Sequence, residues 1–262
     1  MPYWCANYFV KEQCVKITKK ILHSRKDFSR MERKKYLVVT AGGTGTRMGT
    51  ALPKQFLSLG GRAVLQMTIE RFLEACPDVH VITVLPEGHM AWWRRYCLER
   101  SFNCPQRLVL GGFTRFHSVR NALAYVPDEA VVAVHDAVRP LLSADLIRTM
   151  FDRMETVPAL IPVVPSVDTL AVLDKDPDGT LRDGGETVDR SRIYGVQTPQ
   201  MFWSEGLKAA YGQGYDLSFT DDASVARRYG IPLSYVAGER NNVKLTTPED
   251  LRLAEAILRI SD

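Results

Sequence analysis

Residues 36–55 read YLVVTAGGTGTRMGTALPKQ, and this stretch decides the fold. Its first part, 36–41, is a short apolar run rich in β-branched residues, the composition of a strand covered on both faces. The run empties into a glycine loop, and open parallel sheets bind their ligands at that carboxyl end. Gly43 and Gly45 let backbone N–H groups surround phosphate oxygens with no Cβ in the way. Tight turns use glycine too, so the loop alone does not decide its ligand. It lacks the Gly-Lys-Ser/Thr ending of a P-loop, and it misses the spacing of a dinucleotide fingerprint. No acid closes the second strand about 20 residues on, where a ribose would be held. It does carry two cations, Arg47 and Lys54. Dinucleotide loops work mainly through backbone and helix dipole, whereas a triphosphate under attack needs more positive charge.

Outward from this loop the chain alternates. Leu65, Ile69, Phe72 and Cys76 recur at spacings of four, three and four, which predicts a helix. Strands follow at 79–85, 107–110, 131–134, 159–164 and 233–237, with helices at 89–101, 115–126, 144–155 and 204–212 and another after Thr220. The last helix starts legibly, with Thr247 as N-cap, Pro248 at the first position and Asp250 completing a box. This alternation predicts an α/β, Rossmann-like fold: a mostly parallel sheet with helices on both faces. The rhythm breaks over 166–198, where two extended stretches flank Asp176-Pro-Asp-Gly179, strong turn chemistry. We read this segment as a β-arm projecting from a single domain at 35–262. Residues 1–34 lack strand or helix rhythm and the apolar core of a secretory signal. They read as a flexible extension or as upstream sequence from an early start codon; the run from Met31 into the first strand favours the second.

Composition limits the partners. Hydrophobic residues make up 45% of the 262 and charged residues 24%, ordinary for a globular chain that buries its own core. The formal charge of +4 suggests nucleic-acid binding until it is located. Residues 1–30 hold seven Lys and Arg against Glu12 and Asp27, and the remaining 27 basic and 28 acidic residues come to −1. A nearly neutral body offers no footprint for a polyanion. No apolar run approaches the roughly 20 residues that cross a bilayer, so no membrane is expected. The five cysteines are an odd number with no CxxC pair, which points to idle thiols in a reducing cytoplasm.

Gly43-x-Gly45-x-Arg47-Met48 followed by Pro53-Lys54-Gln55 resembles the signature of nucleotidyltransferases that activate sugar phosphates and polyols. Further stretches are similar to one family in particular. They are Gly111-Gly112 with Arg115-x-x-Ser118-Val119, His135-Asp-Ala-Val-Arg139-Pro140, Val188-Asp-Arg190, Gln197-Thr198-Pro-Gln200, Thr220-Asp-Asp-Ala-Ser224 and Asn242-Val-Lys244-Leu-Thr246. Together they resemble the 2-C-methyl-D-erythritol 4-phosphate cytidylyltransferases of non-mevalonate isoprenoid synthesis, over about residues 35–260. Gly42 stands where that family usually has alanine, Val138 replaces a common alanine, and Phe113 stands where some members place an acid.

A phosphate monoester is already an anion near neutral pH, so as nucleophile it needs no general base. The barrier is electrostatic, and cations must converge on the α-phosphate. Arg47 and Lys54 are the first candidates, and the resemblance adds Lys244. Asp136 ends an apolar strand at the edge facing the loop. A single acid there suffices for Mg²⁺ or another divalent cation, which takes one or two carboxylates plus phosphates and water. Arg139 lies in reach of that carboxylate or of a phosphate, whereas His135 reads as a packed neighbour. Base recognition is expected from backbone near Ala41, Gly42 and Gly112 and from Ser118. The choice of cytosine, and hence CTP, is implied by the resemblance. So are Thr169, Arg190 and Thr198 as contacts of the polyol phosphate, and a homodimer in which the arm reaches the neighbouring site. An enzyme using ribitol 5-phosphate would share most of these residues. A silent nucleotide-binding scaffold should have lost one of Arg47, Lys54, Asp136 or Lys244, and all four are present.

Overall fold

The computed structural model describes residues 33–42 and 52–261. Gly43, Gly45, Arg47 and Met48 of the glycine loop, and the N-terminal segment through residue 32, lie outside the described residues. Contacts divide the chain into units at 1–34 and 35–262, and the second is the subject below.

The sheet begins with β1 (Lys34–Thr40), and β2 (Ser58–Leu59) and β3 (Arg62–Ala63) form a small ribbon before α1 (Val64–Ala75). The sequence then runs β4 (His80–Leu85), α2 (Glu87–Glu99), β5 (Gln106–Leu110), α3 (Arg115–Leu123), β6 (Ala130–Asp136), α4 (Ala144–Arg153) and β7 (Ala159–Pro165). The hairpin β8 (Ala171–Lys175) and β9 (Leu181–Thr187) precedes β10 (Tyr194–Val196) and β11 (Gln200–Trp203). The chain closes with α5 (Ser204–Tyr211), α6 (Asp222–Tyr229), β12 (Ser234–Ala237) and α7 (Pro248–Ser261).

Eight strands make the main sheet in the order β10-β7-β11-β6-β1-β4-β5, with β12 also on β7. Pairs β1–β4, β4–β5 and β12–β7 are parallel, while β11 runs against both β6 and β7. The fold is the expected α/β arrangement, with two reversed strands the sequence did not announce. β11 has only four residues, too few for a period, and its burial comes from the strands on either side.

Strand alternation sends side chains to two cores. Leu37, Val39, Val131, Ala133 and Met201 meet α1 and α4 on one face. Val38, Val132, Val134 and Phe202 meet α3, α5 and α6 on the other. A smaller third cluster joins Leu59, Val64, Val138 and Leu245 to Ala254 of α7. The start of α7 is capped as its sequence reads. Asp250 Oδ2 accepts from the backbone N–H groups of Thr246 and Thr247 at 2.7 and 2.8 Å, and Thr247 Oγ1 accepts from Asp250 N.

The expected arm is realised as the β8–β9 hairpin. Gly179 N donates to Asp176 O, Thr180 N donates to the Asp178 carboxylate, and Gly179 takes the left-handed φ of 89° that glycine tolerates. The last part of the 166–198 segment does not project. Residues of β10 rejoin the main sheet against β7.

Candidate active site

The carboxyl ends of β1, β5 and β6 carry Ala41 and Gly42, Gly111 and Gly112, and Asp136. Asp136 is the last residue of β6 and only 7% exposed. Lys244 Nζ lies 3.0 Å from its Oδ2 and Arg139 Nε 3.3 Å from the same oxygen; Arg115 Nε is 3.8 Å from Oδ1. Burial alone would raise the Asp136 pKa. The charges of Arg115, Lys244 and Arg139 overcome that and hold the carboxyl well below the usual range. Asp136 is therefore an anion near neutral pH.

Lys244 reaches this spot from the far end of the chain because the segment 242–245 is pinned on three sides. Asn242 Nδ2 donates to Thr198 O at 2.9 Å, the Asn242 carbonyl accepts from Arg139 Nη1 at 2.7 Å, and Leu245 N donates to Val138 O. The Lys244 side chain remains 47% exposed, so its ammonium can face a ligand.

Thr198 and His135 brace the Asp136 backbone. His135 Nε2 lies 3.1 Å from the Arg139 carbonyl, which can only accept, so Nε2 carries the proton. Nδ1 is then an acceptor and takes the Thr198 hydroxyl at 3.0 Å, while that oxygen accepts from Asp136 N at 3.1 Å. Burial pushes the His135 pKa down to about 4, keeping the ring neutral. The packed role expected for His135 fits this geometry. Thr198 is buried, and its proton is spent inside the protein.

The base-binding candidates also converge. A Cβ on Gly42 would lie 3.6 Å from Ser118 Oγ, one on Gly111 3.4 Å from it, and one on Gly112 would overlap His117 at 2.4 Å. The Ser118 hydroxyl accepts from Gly112 N at 3.0 Å and donates to Thr114 O at 2.9 Å, so it fixes the Gly111–Gly112 turn. Ala41 is buried, with its N–H on Val84 O and its carbonyl on Gln55 Nε2 at 2.7 Å. That last bond ties the Pro53-Lys54-Gln55 turn to the end of β1. Gly42 and Phe113 are exposed.

Thr169 and Arg190 are exposed near the root of the hairpin, with Arg190 Nη1 donating to Val167 O at 3.0 Å. Among the described residues, no hydrogen bond or ion pair joins either to Asp136, Arg139 or Lys244. Arg115 and Asp222, one in the 111–119 motif and one in the 220–224 motif, join this cluster without any sign of it in the sequence. Arg115 Nη2 lies 2.5 Å from Asp222 Oδ2. Nothing local marks the pair, whose members stand 107 positions apart.

Comparison with known proteins gives this geometry its context. A family model described as "IspD: 2-C-methyl-D-erythritol 4-phosphate cytidylyltransferase" matches residues 36–260. A Porphyromonas gingivalis protein of the same description is 46% identical over 230 residues, covering 87% of this chain and 99% of its own. One from Bacteroides thetaiotaomicron is 44% identical over 225 residues, covering 86% and 100%. Among solved structures, a 4-diphosphocytidyl-2C-methyl-D-erythritol synthase from Anaerococcus prevotii superposes with a TM-score of 0.70 at 26% identity, covering 87% of this chain and 99% of that one. The cytidylyltransferase of Thermus thermophilus gives 0.66 at 30% identity, covering 86% and 99%.

Proposed function

The chain belongs to the 2-C-methyl-D-erythritol 4-phosphate cytidylyltransferase family, and from that premise we propose that it transfers the cytidylyl group of CTP to 2-C-methyl-D-erythritol 4-phosphate. A phosphate oxygen of the polyol attacks the α-phosphorus in line, the bond to the β-phosphate oxygen breaks, and pyrophosphate leaves. The observation that carries this reading is the ionised Asp136 with Arg139 and Lys244 gathered on it at the carboxyl edge of the sheet.

Two anions must meet, so positive charge is the main requirement. Lys244 faces the approach. Lys54, in the turn tied to Ala41, and Arg47 in the loop supply more charge. The turn held by Ser118, together with Gly42, offers a close-fitting backbone for the base. Arg139 holds Asp136 and the Asn242 carbonyl, which keeps the carboxylate and the Lys244 segment in one frame.

Asp136 fits a magnesium ion. It is a hard oxygen donor, kept ionised, whose Oδ1 has no hydrogen-bond partner among the described residues, the 3.8 Å contact to Arg115 being too long for one. No cluster of three His, Cys, Asp or Glu capable of holding a metal exists among the described residues, so an ion here would share its shell with phosphates and water. Bound there, it would neutralise triphosphate charge during transfer.

The resemblance implies a homodimer in which each hairpin completes the neighbour's site. Val167, Leu170, Leu173 and Leu181 on and beside the hairpin are exposed apolar side chains that such a contact would cover. No described helix is long and apolar enough to cross a membrane. Cys76, Cys97 and Cys104 are free thiols, which agrees with a cytoplasmic setting.

The test is pyrophosphate release from CTP and Mg²⁺ with methylerythritol phosphate or ribitol 5-phosphate, with Lys54→Ala as control. Release with the first polyol, lost in the variant, is expected. Release with ribitol 5-phosphate alone would overturn the substrate, and none with either would overturn the reaction.

A further inference from the structure

Arg115 opens α3, where a cation opposes the helix dipole. Its guanidinium is nonetheless fixed there by Asp222, which opens α6 and has no solvent exposure. Both oxygens of Asp222 are engaged: Arg115 Nη2 donates to Oδ2 at 2.5 Å, and the buried Tyr211 hydroxyl donates to Oδ1 at 2.6 Å. The backbone around Asp222 is equally fixed. Asp221 and Ser224 form a capping box, and the Gln200 amide donates to Asp221 Oδ2 and accepts from Ala223 N.

The other side of the same guanidinium faces Asp136 Oδ1, but at 3.8 Å, beyond hydrogen-bond length. The Asp136 carboxylate is therefore unevenly occupied. Oδ2 is closed by Lys244 and Arg139, while Oδ1 is approached by Arg115 and not bonded among the described residues. An arginine between two carboxylates ordinarily forks onto the nearer one in a bidentate pair. Here the short contact is a single one, from Nη2 to Asp222 Oδ2, while Nε is left 3.8 Å from Asp136.

We propose that Asp222 is a positioning residue for cytidylyl transfer: by drawing Arg115 to itself it stops the guanidinium from closing on Asp136 and keeps Oδ1 open for the divalent cation that comes with the incoming nucleotide. This rests on the functional reading above. Without the Asp222 charge, the half-buried guanidinium has one carboxylate left, and it would cap the oxygen the site needs.

The experiment is a double-mutant cycle with D222N and R115Q, reading CTP affinity by calorimetry in Mg²⁺, KM and kcat for CTP, and melting temperature. D222N is expected to weaken CTP binding and raise KM about tenfold, a loss that falls on KM more than on kcat. The double variant R115Q/D222N, with no guanidinium to close, is expected to recover to within about threefold of wild type. A merely structural pair would lower the melting temperature without this KM pattern. Folded D222N with wild-type CTP affinity, or a double variant no better than D222N, would sink the proposal alone. Wild-type protein that neither binds CTP nor releases pyrophosphate would sink the functional reading and this proposal with it. Should D222N not fold, a crystal structure of the wild-type protein with CTP decides. Arg115 is expected to remain on Asp222, and finding it bidentate on Asp136 overturns the idea.

Discussion

Replacing Thr198 with valine keeps the shape of the side chain and removes one hydroxyl. That hydroxyl gives its proton to His135 Nδ1 and accepts the Asp136 N–H, both inside the protein. Valine satisfies neither, so one buried ring nitrogen and one buried backbone N–H lose their partners. Each such orphan costs about 1–3 kcal/mol, and neighbouring losses are not strictly additive, which gives about 2–4 kcal/mol for the variant. For a domain of this size each kcal/mol moves the melting point by about 2–4 °C, so a fall of roughly 5–15 °C is expected. Thr198→Ser retains the oxygen and should lose much less. Differential scanning calorimetry on the three proteins, with KM for both substrates, is the assay. The buried place of Thr198 makes stability the first property to fail, with activity following through the shifted Asp136. If Thr198→Val melts within about 1 °C of wild type while KM for the polyol phosphate rises tenfold, the hydroxyl faces the substrate and this reasoning is refuted.

Removing Lys244 or Lys54 as alanine should lower kcat by about 10²–10³, checked by steady-state pyrophosphate release; Lys244→Ala should also lower the melting temperature, because the buried Asp136 carboxylate loses one of its cations. His135 makes the fold acid-sensitive. Its folded pKa of about 4 lies below the ordinary 6.5, so the unfolded chain takes the proton first and stability is lost as pH falls from 6.5 to 4. That loss is on the order of 3 kcal/mol, and urea titrations between pH 7 and 4 should show it shrink in His135→Asn. The dimer reading predicts complementation: mixing inactive Arg190→Ala and Lys244→Ala subunits after joint refolding should restore roughly a quarter of the sites. No recovery would place Arg190 and Lys244 in the same subunit's site.

Much of this molecule can be read along the chain where local chemistry decides local structure. The start of α7 is written in Thr247, Pro248 and Asp250, and the hairpin turn in Asp176-Pro-Asp-Gly179. The edge position of Asp136 follows from the apolar run before it. What escaped reading depends on partners far away in sequence. Gln200–Trp203 become a strand because β6 and β7 leave a slot between them, and four residues carry no periodicity of their own. Arg115 and Asp222 each look like ordinary helix-start residues, and only the fold brings them to 2.5 Å. Thr198 illustrates a third case, since resemblance assigns it to the substrate while burial and two bonds turn it inward.

The short strand β11 has a consequence for how such a chain can vary in length. Thr198 just before it holds Asp136, Gln200 at its start holds the Asp221–Ala223 turn, and Met201 and Phe202 fill opposite cores. Inserting or deleting one residue between 198 and 202 would exchange the faces of Met201 and Phe202 and pull both polar anchors out of place together. The tip at 176–179 has no such ties, and a residue added there only lengthens a solvent-facing turn. Length variation is thus forbidden where the backbone serves two cores and a catalytic edge at once, and permitted a few turns of chain away.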